Sequence, residues 1–123
     1  VQRAATVDAS FSAAWSAVID LFSDLNWTIQ TVDKNSGLIA SDWLNVGDDF
    51  ADCGSAPLAR DVATQLRLNV RVKEVDGGTQ VTVNTTYRKY RSFDGNISVV
   101  QCASLGVMES KIHAAVRRRS AAH

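Results

Sequence analysis

The chain has 123 residues, 46% hydrophobic and 21% charged, with thirteen bases balancing thirteen acids. Such a length bounds it to one domain with one core, residues 1–123, and the composition excludes wholesale disorder and collagen-like or mucin-like chains. The zero formal charge argues against generic polyanion binding by the whole molecule, and no apolar run approaches the roughly 20 residues that span a bilayer.

A short strand over Ala4–Val7 is expected first. Residues 10–26 then carry the clearest helical period, with Phe11, Trp15, Val18, Ile19, Phe22 and Leu25 on one stripe. Ser10 is the candidate cap, Asn26 the stop, and Ser12, Ser16, Asp20, Ser23 and Asp24 form the wet face. Trp27 and Ile29 alternate against Thr28 and Gln30, which predicts a half-buried strand, and DKNSG at 33–37 supplies a turn ending on Gly37. LIASDWL returns as the next strand. Residues 45–61, rich in Asp and Gly and holding Pro57, read as a long polar loop that Cys53 tethers.

Leu66, Leu68, Val70 and Val72 alternate strictly with Arg67, Asn69, Arg71 and Lys73. After Asp76, Gly77 and Gly78 a second run alternates Val81, Val83, Thr85 and Tyr87 with Thr82, Asn84, Thr86 and Arg88, so the two form a hairpin. A second helix is expected from Ser104, with Leu105, Met108, Ile112, Ala115 and Val116 on one side and Arg117, Arg118 and Arg119 at the negative end of its dipole. The predicted order is β-α-β-β-loop-β-β-α. It implies an α+β fold: a twisted antiparallel sheet of about five strands with two helices packed on one face. The other face presents Arg67, Asn69, Arg71, Lys73, Thr82, Asn84 and Arg88 to water or to a partner.

Charge is uneven along the chain. Through residue 59 two bases face eight acids, and from residue 60 onward eleven bases face five. Cys53 and Cys102 read as a disulfide that pins the long loop near the start of the second helix, with two separate buried thiols as the alternative. A bridge would point to an oxidising compartment. His113 and His123 form no zinc pattern with the cysteines.

The stretch TVDASFSAAWSAVIDLFSDLNWTIQTVDKNSGLIASDWL resembles small bacterial envelope lipoprotein domains of the BamC type. The shared features are Trp15 one turn into the helix, Trp27 opening a strand, and Asp33 and Gly37 in a turn leading to Leu38 and Ile39. The closing CASLGVMESKI is similar to the end of uncharacterised lipoproteins of that kind. The resemblance implies a helix-grip fold and no catalysis. It also implies a periplasmic or outer-membrane location, with a lipid anchor upstream of Val1 on a cysteine lost with a leader. The cysteine pair lies outside the shared pattern, and no binding residue carries over.

No catalytic motif appears. Glu109 and His113 are spaced for a contact along one helix flank and read as a surface pair. Asp48, Asp49 and Asp52 lack the bidentate acid that would complete a calcium loop, and no glycine-rich phosphate motif is present. No metal, cofactor or enzymatic activity is therefore expected. Trp15 is assigned to the core and Trp27 to core or rim. Trp43 is ambiguous: Leu38, Ala40 and Asp42 alternate against Ile39, Ser41 and Trp43, and either set could face inward. Turned outward, Trp43 would join Arg67, Arg71, Lys73 and Arg88 in a binding surface, whereas the bland alternative is a solvated face. The expected function is protein-protein contact in cell-envelope assembly or maintenance, with an envelope protein as partner and no nucleic acid. The alternative is a small helix-grip module holding an apolar ligand between helix and sheet.

Overall fold

The computed structural model describes residues 1–121. Among them eight strands and two helices follow in the order β1 (Ala4–Val7), α1 (Phe11–Asp24), β2 (Ile29–Asp33), β3 (Leu38–Ser41), β4 (Leu44–Val46), β5 (Ala51–Asp52), β6 (Arg60–Val75), β7 (Gly78–Phe93), β8 (Asn96–Ser104) and α2 (Val107–Ser120). A single 3-10 turn, Asp48–Phe50, precedes β5. The fold is α+β with two helices, as the periodicities predict. The sheet, however, has eight antiparallel strands rather than about five.

The difference follows from the length of the central hairpin. β6 and β7 run 16 residues each, long enough for two short strands to share each flank. Beside β6, β3 pairs with residues 69–71 and β4 with 64–66. Beside β7, β1 pairs with residues 79–82 and β8 with 87–93. β2 lies outside β3, and β5 outside the end of β8. The expected loop at 45–61 therefore holds most of β4, all of β5 and the first residues of β6, and residues 96–103, which periodicity leaves unassigned, form nearly all of β8.

Both helices pack on one face, as expected. Leu66, Leu68, Val70 and Val72 of β6 and Val81, Val83 and Tyr87 of β7 are buried beneath them. α1 contributes Ala14, Trp15, Ala17, Val18, Leu21 and Phe22, and Ser10 Oγ caps it by accepting from the Ala13 N–H at 3.1 Å. Complete burial of Phe22 alone contributes roughly 1.5–3 kcal/mol. Trp15 stacks on Phe11 at 6.1 Å, and half-buried Trp27 meets Phe22 edge-on at 5.2 Å. Leu25, predicted on the buried stripe, is exposed because the helix ends at Asp24 and the chain turns at Asn26 (φ 55°). β2 is exposed along its whole length, not half-buried: it is the outermost strand, and Trp27 has already turned onto Phe22 before it begins.

The second helix begins at Val107 rather than Ser104, because β8 continues through Ser104, which pairs with Ala51. Gly106, at φ 83°, makes the corner. The three terminal arginines close α2 as expected, and Arg119 Nη1 donates to Asp24 Oδ2 at 2.6 Å, joining the ends of the two helices.

Candidate functional site

Trp43 faces outward because of a register shift. β3 pairs Ala40 with Asn69 and β4 pairs Leu44 with Leu66, so three residues, 41–43, stand against Arg67 and Leu68. The extra residue is a bulge that reverses the alternation. Ile39 and Ser41 point inward before it, Leu44 packs on the core after it, and Trp43 emerges on the outer face beside Arg67. Ser41 Oγ accepts the Leu68 N–H at 2.9 Å, satisfying a backbone donor at the irregularity.

On that face the Arg88 guanidinium lies 3.7 Å from the Trp43 ring centre and Arg67 lies 4.7 Å from it, distances at which cation–π attraction holds both. Arg88 also approaches Tyr90, at 5.2 Å. Its Nε donates to Gln65 Oε1 at 2.9 Å, and Gln65 Nε2 donates to Asn45 Oδ1 at 3.1 Å, so a polar lattice braces the cluster. Tyr90 stands opposite Val99, and Ser92 opposite Ile97, which extends the surface over β8. Tyr87, by contrast, is buried on the inner face. Next to the cluster is a depression of about 470 Å³ lined by Gln30, Arg67, Asn69, Asn84 and Thr86.

Trp43, Arg67 and Arg88 thus come together. Arg71 and Lys73 share the face but lie about 13 and 20 Å farther along β6, at about 3.3 Å per residue. Among the described residues none of these four cations has a salt-bridge partner. Of the two tyrosines that the sequence offers as neighbours of an outward Trp43, Tyr90 on β7 joins the cluster and Tyr87 does not, whereas Ile97 and Val99 belong to β8, a strand that no buried stripe announces.

The inner face of the same hairpin treats its cations differently. Beyond Tyr87 the core-facing positions are Lys89 and Arg91, both buried. Lys89 Nζ lies 3.0 Å from Asp48 Oδ1 and 3.3 Å from Asp61 Oδ2, and Arg91 Nε lies 3.1 Å from Asp61 Oδ1. Arg91 Nη2 donates to Gly54 O at 2.9 Å, drawing the segment after β5 across the hairpin. The Cys53–Cys102 disulfide fixes the same segment to β8, as the cysteine count suggested. Its direct anchor is the strand rather than the helix start. Asp48, one of the acids of the incomplete calcium pattern, is bonded to Lys89 and, at 2.9 Å, to the Thr64 hydroxyl.

Hydrogen bonds hold both carboxyls below the usual aspartate range, Asp48 mainly through Lys89 and Asp61 mainly through Arg91. Lys89 is raised, chiefly by Asp48. A lowered carboxylate contributes stability above its unfolded value, about 3.9, and loses it as pH falls through the folded value. Melting temperatures between about pH 5 and pH 2 should therefore show the advantage of wild type over Asp48→Asn/Asp61→Asn shrinking with acidification. A constant difference would show that ionisation of these carboxylates is not its source.

Glu109 and His113 are not a surface pair. Both are buried on the side of α2 that meets the sheet, at 1% and 4% exposure. Glu109 Oε2 accepts from Ser104 Oγ at 2.7 Å and Thr85 Oγ1 at 3.2 Å, and His113 Nε2 donates to Val81 O at 3.1 Å. These bonds dock the helix on β7 and β8. Burial, reinforced by the Glu109 carboxylate, pushes the neighbouring Tyr87 phenol up to about 12, so it stays protonated. Among the described residues no group of three or more His, Cys, Asp and Glu could hold a metal ion, and His123 lies outside those residues.

Between α1 and the sheet, Val18, Phe22, Ile39, Leu66 and Leu68 are sealed from solvent. An apolar groove of about 290 Å³ lies elsewhere, between the two helices, floored by Leu21, Trp27, Met108 and Ile112. Among the described residues no helix is long and apolar enough to cross a membrane. No protein-family model matches this chain, and no curated protein matches it.

Proposed function

We propose that this protein is a non-enzymatic domain acting by protein-protein contact in the assembly or maintenance of a bacterial cell envelope, with the outer sheet face as its contact surface. The observation that carries this reading is the cluster of Trp43, Arg67 and Arg88, whose cations have no acidic partner among the described residues while Lys89 and Arg91 on the opposite face do. Tryptophan, tyrosine and arginine are the residues that most often anchor interfaces. Unpaired cations around them favour an acidic protein surface.

The disulfide supports a place outside the cytoplasm, since such bridges persist in oxidising compartments. Together with the lipoprotein resemblance it favours the periplasm or outer membrane, with a lipidated cysteine upstream as tether. Nucleic acid fits less well, because Arg88 already occupies a face of Trp43 where a base would stack. The alternative of an apolar ligand held between helix and sheet draws no support from the sealed core there.

A photo-cross-linking residue at exposed Asn84 should capture an acidic envelope protein in cells, whereas one at Ser12 on the far side of α1 should not. Arg67→Ala/Arg88→Ala should weaken the captured complex by about 2 kcal/mol or more, roughly 30-fold. Equal capture from Ser12, or capture undiminished by the double substitution, would refute the assignment.

A further inference from the structure

β8 offers a second surface, independent of the acidic-partner reading. On one side Asn96–Cys102 pair residue by residue with Phe93–Tyr87 of β7. On the other side β5 covers only Ala103 and Ser104, and the disulfide at Cys102 closes that pairing. The chain then leaves the edge, because Arg91 holds Gly54 O over the inner face. β1, which shares this flank of β7, pairs no farther than Thr82. Residues 96–101 are thus an open strand edge, and every second residue turns its N–H and C=O outward.

The side chains there do nothing to blunt the edge. NISVVQ contains no charge, proline or glycine, and Ile97 and Val99 are 61% and 51% exposed. The opposite edge, β2, is guarded in the usual ways: it is five residues long, carries a register irregularity between Ile29 and Thr31, and ends in Asp33 followed by Lys34.

We infer that β8 pairs antiparallel with β8 of a second copy of this chain across a twofold axis. A twofold makes identical strands antiparallel, and an uncharged strand meets itself without like-charge contact. A register centred on Ser98 sets Ile97 of each copy opposite Val99 of the other, covering the exposed β-branched side chains and joining the two sheets. The outer faces, each with its Trp43 cluster, then lie on one continuous surface.

Sedimentation velocity over a concentration series should show wild type passing from monomer to dimer, with deuterium exchange at 96–101 slowing as dimer forms. Val99→Lys, and separately Ile97→Lys, should move the midpoint to at least about tenfold higher concentration, or abolish dimer. Both sites are exposed, and circular dichroism verifies the fold of each variant. Trp43→Ala should leave the midpoint unchanged. Monomer at every wild-type concentration, or a dimer undiminished in both lysine variants, would overturn the inference.

Discussion

Replacing Cys53 and Cys102 with serine should lower the unfolding free energy by about 4 kcal/mol, measured by urea denaturation. The bridge joins residues 49 apart in sequence, and closing a loop of that size removes about this much entropy from the unfolded chain. The native state loses a second contribution. Without the bridge, β5 keeps only two paired positions on β8, and the segment that brings Asp48 to Lys89 is held by its hydrogen bonds and the packing of Phe50. Local exchange at Asp48–Gly54 should therefore rise more than exchange in β6 or α1. A loss below about 1 kcal/mol would mean that the unfolded chain already keeps these segments together.

Gly37→Ala should be nearly as damaging, at roughly 3–5 kcal/mol. Gly37 sits at φ +68°, and an added Cβ would fall 2.0 Å from Val72 O. The Gly37 carbonyl accepts the Val72 N–H at 2.7 Å, so relieving the clash breaks the bond joining this turn to β6. Gly54 supplies the control: its φ is +72°, but nothing lies within 4 Å of a Cβ placed there. Gly54→Ala should lose only the left-handed penalty, about 1–2 kcal/mol. Equal losses at the two positions would show that close approach to β6 has no part in the effect.

The parts of the fold legible in the sequence are those where one periodicity runs unbroken onto a single buried face. Leu66 to Val72 and Val81 to Tyr87 announce the central hairpin, and the stripe from Phe11 to Phe22 announces α1. β8 was legible in principle. Asp94 and Gly95, both at positive φ (49° and 79°), form a two-residue hairpin turn of a strongly favoured type. Its larger apolar residues, Ile97 and Val99, face solvent, so no buried stripe marked the strand.

The site was harder to read for a physical reason. An inserted residue reverses alternation, so Trp43 could not be assigned to a face from its neighbours; the one trace is that inward apolar positions change from Ile39 to Leu44 and Val46. Lys89 and Arg91 continue the inward phase of β7, where cations look misplaced until Asp48 and Asp61 arrive from distant segments. Glu109 and His113 kept their helical spacing, but that spacing does not reveal which side meets the sheet.

The central claim is that Trp43, Arg67 and Arg88 form the face on which an acidic protein docks. Titration of the ¹⁵N-labelled chain with a soluble peptide of alternating Asp and Tyr residues tests it most directly. The predicted result is shifts at the Trp43 indole, Arg67, Arg88 and Tyr90 that fade as salt is raised. Shifts confined to the helices or to residues 47–59, or shifts indifferent to salt, would contradict it.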